Sequence, residues 1–110
     1  MLLYVAGPYS AVTEYEQREN VKEAYTVALA LWKHGHYAIC PHTNTCGMEL
    51  RGVSWKQAMK GYKEILSRCD GVVFLPKWRY SKGSKIEHSL AIKLGIKVYY
   101  WPDYPLNTKG

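Results

Sequence analysis

Trp78-Arg79-Tyr80-Ser81-Lys82-Gly83-Ser84-Lys85-Ile86-Glu87-His88-Ser89-Leu90-Ala91-Ile92-Lys93-Leu94-Gly95 is the stretch whose reading decides the fold. Entered from Ser81 or Ser84 and closed by Gly95, it reads as a helix with Ile86, Glu87, Leu90, Ala91 and Leu94 on one stripe at helical spacing. A carboxylate therefore sits among groups expected to face a core. In the first turn, unpaired backbone N–H groups and the helix dipole would keep Glu87 ionised while partly shielded from water, which makes it a candidate nucleophile. The same residues fit a simpler pattern. Ser84-Lys85-Ile86-Glu87 has the Ser-x-x-Glu spacing of a capping box, in which Glu87 only reaches back to the Ser84 N–H.

Outward from this helix, strands and helices alternate. Leu2-Leu3-Tyr4-Val5-Ala6 is a nearly continuous apolar run stopped by Gly7-Pro8, the pattern of a buried parallel strand and a turn. Thr13-Glu14-Tyr15-Glu16 opens a long helix with the stripe Val21, Ala24, Tyr25, Ala28, Leu31 and Trp32, stopped at Gly35. Tyr37-Ala38-Ile39-Cys40 is a second strand, ended by Pro41-His42. Thr43 to Val53 shows no period and reads as a loop. Ser54-x-x-Gln57 opens a further helix with the stripe Trp55, Ala58, Met59, Tyr62, Ile65, Leu66 and Cys69. Gly71-Val72-Val73-Phe74-Leu75 and Lys97-Val98-Tyr99-Tyr100-Trp101 complete the strands, each ended by a proline.

This alternation predicts right-handed βαβ units and an α/β three-layer sandwich around a parallel sheet of four to five strands in the flavodoxin-like order 2-1-3-4. The binding crevice of such a sheet lies beyond the carboxyl ends of its strands at the switch point, here between the first and third. Gly7, Pro8, Tyr9, His42, Trp78 and the head of the Glu87 helix fall on that edge; His34, His36, Asp70 and Lys97 fall on the other. Turn chemistry alone would also explain Gly7-Pro8 and Pro76.

The chain has 110 residues, 47% apolar and 22% charged, the composition of one ordinary globular domain spanning 1–110. No apolar run reaches membrane-spanning length and strand-like residues begin at Leu2, so a cytoplasmic protein without membrane association is expected. The net charge of +6 suits an anionic ligand, or simply a solvated basic surface. The positive residues are scattered, so a nucleotide is a better match than a nucleic acid polymer. Cys40, Cys46 and Cys69 are irregularly spaced, which argues against a disulfide framework. Cys40-x-His42-x-x-x-Cys46 lacks a fourth ligand for zinc, so neither metal nor cofactor is expected.

The loop Ser81-Lys82-Gly83-Ser84 offers hydroxyls and backbone N–H groups to an anion at a helix N-terminus, and Gly83 permits close approach. Tyr4, inside the first strand, needs a partner for its hydroxyl. Glu87 is a natural one if Tyr4 points along the crevice; a plain core tyrosine is the alternative. Trp78 and Tyr80 could stack on a base or lid a small core.

Taken together, Leu3-Tyr4-Val5-Ala6-Gly7-Pro8-Tyr9, Cys69-Asp70-Gly71-Val72-Val73-Phe74-Leu75-Pro76-x-Trp78, and Ser81-x-Gly83-x-x-x-Glu87 with Ala91 and Gly95 resemble the nucleoside 2-deoxyribosyltransferase superfamily. They are most similar to its small bacterial and phage members, relatives of the 2'-deoxynucleoside 5'-monophosphate N-glycosidases. The resemblance implies that Glu87 attacks C1' of the sugar, that Tyr4 orients this carboxylate, and that a nucleoside or nucleotide is the substrate. It also implies a homo-oligomer, a dimer or higher. Two departures stand out. Ser81 occupies a place where the transferases carry an acid that contacts the sugar's 5' end, which favours a 5'-phosphorylated substrate. Tyr62 stands where the family has an aspartic acid that helps protonate the leaving base; it reads most simply as a core residue. His42 or Glu49 could take over that protonation. The rival readings are a nucleotide-binding module without turnover and a flavodoxin-like redox or signalling domain. The latter lacks its Ser/Thr/Gly-rich anion loop and its phosphoacceptor aspartate.

Overall fold

In the computed structural model, which describes residues 1–45 and 47–105, the run Leu2–Ala6 forms the central strand β1. Its position follows from its composition, since only a strand covered on both faces can bury so continuous an apolar run. Around it lie α1 (Glu14–Lys33), β2 (Tyr37–Ile39), α2 (Pro41–Asn44), α3 (Trp55–Ser67), β3 (Gly71–Phe74), α4 (Lys82–Leu94) and β4 (Lys97–Tyr100). All strand pairs are parallel and the sheet order is β2-β1-β3-β4, as the alternation predicts. Leu3 and Tyr4 pair with Ala38 and Ile39 on one side and with Gly71 and Val72 on the other.

The two-residue period of β1 assigns its side chains to opposite layers. Leu3 and Val5 join Ala24, Val27, Ala28 and Leu31 of α1. Tyr4 and Ala6 face the other way, among Leu66 of α3, Ala91 of α4, Val72 and Phe74. Tyr4 therefore emerges on the face that α4 covers, and a shift of one residue would have sent it to α1 instead.

Beyond the strand, Gly7 is held against Leu75. A Cβ built there would lie 2.8 Å from both Cβ and Cγ of that fully buried leucine. Gly7→Ala is therefore expected to destabilise the fold by about 1–3 kcal/mol, read as a lowered urea midpoint with an unchanged slope. An unchanged midpoint would show that the turn relaxes freely.

Several sequence expectations are corrected by packing. Tyr25 and Trp32, placed on the α1 stripe, lie outside the core, where Val27 takes their place. Trp55 and Leu94 are likewise exposed. The segment read as a loop from Thr43 to Val53 begins inside the single turn α2 and contains a 3-10 turn at Met48–Arg51, both too short to show a period. α3 carries the full capping box, with Ser54 N–H donating to Gln57 Oε1 at 3.0 Å and Gln57 N–H to Ser54 Oγ at 3.1 Å. α4 is capped by Ser81, whose Oγ accepts from the Ser84 N–H at 3.2 Å, and it ends at Gly95, whose φ of 72° favours glycine. The Ser84–Glu87 box does not form. Glu87 lies in the second turn, beyond the first-turn reach of the helix dipole. Cys46 and the tail residue Asn107 lie outside the described residues. Among the described residues, no helix is long and apolar enough to cross a membrane.

Candidate active site

At the carboxyl edge of β1 the turn Gly7-Pro8-Tyr9, the short α2 and the N-terminal ends of α3 and α4 enclose a hollow of about 590 Å³. Tyr4, Gly7, Pro8, Tyr9, His42, Ser81, Gly83, Ser84 and Glu87 all line it. Trp78 does not. It stacks on His88 with ring centroids 4.2 Å apart, packs on Phe74, and carries Arg79 over its ring at 5.5 Å, all in a separate aromatic cluster. The base-stacking role expected for Trp78 is therefore not available to it in this hollow.

Tyr4 and Glu87, one fully buried and the other 6% exposed, meet in the wall. The Tyr4 hydroxyl donates a short hydrogen bond to Glu87 Oε2. Parity along β1 and the second turn of α4 bring them together from opposite ends of the chain. Burial raises the Glu87 carboxyl to about 7, with the Tyr4 hydrogen bond pulling in the opposite direction. Burial, the Glu87 charge and the shared hydrogen bond push the Tyr4 phenol far upward, so it stays protonated as the donor. Glu87 is thus balanced between its two forms near neutrality rather than firmly ionised.

His42 is buried, and its Nε2–H donates to the Pro8 carbonyl at 2.8 Å. Burial lowers its pKa more than the backbone bonds to Pro8 and Gly7 raise it, which keeps the ring neutral. Nδ1 then carries a lone pair without a partner, an acceptor and not an acid. This corrects the expectation that His42 could protonate a leaving base. Ser84 Oγ, on a residue 1% exposed, is likewise buried without a partner. Two orphaned polar atoms on lining residues are what a site completed by a polar ligand or water would leave.

The Tyr9 hydroxyl donates to Glu49 Oε1 at 3.2 Å and accepts from Gln17 Nε2 and the Gly47 N–H, each at 3.2 Å. It ties α1 to the segment that carries Glu49, which also lines the hollow. Tyr62 is half-buried and packs against the core layer of Tyr4 and Leu66, as expected, while its hydroxyl bonds Thr45 Oγ1 and both residues line the hollow. Thr45 and Trp55 were not legible as lining residues, and Lys82 was read only as part of the anion loop Ser81–Ser84. Lys82 sits over the Trp55 ring at 5.0 Å, joining the first turns of α3 and α4, and only the tertiary approach of those helices reveals the pair.

Residues 1–100 match the family described as "Domain of unknown function (DUF4406)". The chain belongs to the DUF4406 family. Its fold is shared with solved enzymes of known reaction. A 2-deoxyribosyltransferase from Bacillus psychrosaccharolyticus is 22% identical with a TM-score of 0.65, over 91% of this chain and 71% of that one. A 2-deoxyribosyltransferase from Leishmania mexicana is 16% identical with a TM-score of 0.63, over 90% of this chain. The DUF4406 chain spans 62% of the Leishmania enzyme's length. No curated protein matches it.

Proposed function

We propose that this DUF4406 protein cleaves or exchanges the N-glycosidic bond of a nucleoside or its 5'-monophosphate, with Glu87 as nucleophile. The observation that carries this reading is the buried Tyr4–Glu87 pair in the wall of a hollow large enough for a small-molecule ligand. The shared fold supports it, as do the sequence motifs around Tyr4 and Glu87 that resemble the transferases.

In the proposed reaction Tyr4 holds Glu87 Oε2 and the second oxygen, Oε1, attacks C1'. The C–N bond breaks with its electron pair passing to the base nitrogen, through an oxocarbenium-like transition state that the carboxylate stabilises. Forming a neutral glycosyl ester removes a buried charge, so the burial that raises the Glu87 pKa also favours the intermediate. Water or a second base then displaces Glu87 from C1'; with water, one proton is released. Glu49 and the Tyr62–Thr45 hydroxyl pair line the hollow as hydrogen-bond partners for the departing base, which takes its proton from solvent. The first turns of α3 and α4 converge on the hollow with Ser81, Lys82 and the unpartnered Ser84 hydroxyl, a setting that favours a 5'-phosphate.

Chromatography of the protein incubated with nucleosides and 5'-monophosphates, with and without an added base, tests the reading. Free or exchanged base is expected, faster from monophosphates than from the matching nucleosides. Tyr62, in place of an acid, favours a second reading, a nucleotide-binding module. Calorimetric binding without any release of base across the panel would select that module and reject the enzyme.

A further inference from the structure

The net charge of +6 is unevenly laid over the molecule. Helix α1, which covers one face of the sheet, sets Glu14, Glu16, Glu19 and Glu23 against Arg18, Lys22 and Lys33. The opposite layer is basic. On α3, Lys56, Lys60 and Lys63 fall within about 60° of arc at 3.6 residues per turn and point away from the buried Met59 and Leu66. On α4, Lys82, Lys85 and Lys93 likewise point away from the buried Ser84, Glu87 and Ala91. All six lysines are exposed. The acids of these helices do not offset them, because Glu87 is buried and Glu64 is paired with Arg68 at 2.6 Å. Positive residues scattered along the sequence are thus gathered by the fold into two rows, about 10 and about 16 Å long at 1.5 Å per residue. Where the rows begin, at the mouth of the hollow, stand two aromatic rings. Tyr80 is 87% exposed, and Trp55 is 51% exposed even with Lys82 over its ring.

We propose that the outer face of α3 and α4 binds a single-stranded polynucleotide, its phosphates on the lysine rows and its unpaired bases on Trp55 and Tyr80. Rows of lysine match a chain that carries one negative charge per nucleotide, and exposed rings stack on any base, so the contact is tolerant of sequence. A duplex keeps its bases stacked inside and has nothing to offer the rings. A phospholipid surface would engage the lysines equally, but it too has no ring to stack on Trp55 and Tyr80. The nucleotide expected from the net charge is therefore extended to its polymer by the way the fold collects that charge. The face is separate from the proposed chemistry, since Lys60, Lys63 and Lys85 do not line the hollow.

Fluorescence anisotropy of labelled oligothymidylate and oligouridylate, titrated with the protein at about 50 to 200 mM salt, tests this. Micromolar binding of either strand is expected at the lower salt, with a log–log salt slope of about −4 if all six lysines meet phosphates. The triple variant Lys60→Gln, Lys63→Gln, Lys85→Gln should roughly halve that slope and weaken binding about tenfold or more, with base release unchanged. Removing as many charges from the other layer, by Arg18→Gln, Lys22→Gln and Lys33→Gln, should leave slope and affinity as they were. Glutamine is a good helix former, so both triples should keep the wild-type far-UV spectrum. Tyr80→Ala should weaken single-strand binding about tenfold and leave any binding of a duplex unaltered. No anisotropy change at the lower salt overturns the proposal. So do equal losses from the two triples, strand binding that ignores Tyr80→Ala, or binding only to phosphatidylserine vesicles in a co-sedimentation assay. Glu87→Gln should bind the strands as the wild type does, so this result and the glycosidic assay are read independently.

Discussion

Glu87→Gln is expected to abolish base release, by more than about a thousandfold, and at the same time to raise the melting temperature at pH 8. The two effects have one cause. Burial lifts the carboxyl from its ordinary 4.5 to about 7, so the folded protein holds that proton more tightly than the unfolded chain does. Stability linked to this group is therefore complete below pH 4.5 and is lost as pH rises through 7. The difference corresponds to roughly 3 kcal/mol above that range, an upper bound on what removing the charge can return. Glutamine keeps an oxygen for the Tyr4 hydroxyl and carries no charge. A gain of several degrees is expected at pH 8, shrinking to none near pH 4. Equal melting temperatures at both pH values would show that Glu87 carries no such penalty. Base release that survives the substitution would remove the nucleophile assignment.

The features behind this prediction differ in how far the sequence discloses them. The sheet order follows from four apolar runs separated by helical periods, because parallel strands buried on both faces have few other compositions. Glu87 was visible as a charge within an apolar stripe. Its local setting was not, because Ser81 and Ser84 stand three residues apart and either can cap a helix; only the observed cap at Ser81 moves Glu87 into the second turn. Trp78 and Tyr62 show a different limit. Both are aromatic residues near the crevice edge, yet their directions are set by tertiary neighbours. Trp78 turns to His88, whereas Tyr62 turns into the hollow to meet Thr45. Tyr25 and Trp32 show a third. A helical period records which positions are apolar, not what covers them, and on α1 two such faces lie side by side.

Tyr4→Phe is expected to displace the pH dependence of base release as well as its rate. In the wild type, kcat/KM should climb with pH as Glu87 ionises, with a midpoint near 7 and a plateau above it. The hydrogen bond from Tyr4 is the influence that lowers the Glu87 pKa against burial, and a bond to a charged group contributes about 1.5–3 kcal/mol. Phenylalanine retains the ring within the layer formed by Leu66, Val72 and Ala91, so the packing survives while the donor is lost. The rising limb should therefore move up by about one to two pH units, and the plateau rate should fall about 10- to 100-fold as the carboxylate loses its fixed orientation. The Tyr4 phenol stays protonated throughout the accessible range, so no falling limb of the wild-type profile should disappear with it. A lowered plateau with an unmoved limb would mean that Tyr4 orients Glu87 without setting its ionisation. A profile unchanged in both respects would mean that the buried pair belongs to the architecture of the wall and not to the reaction.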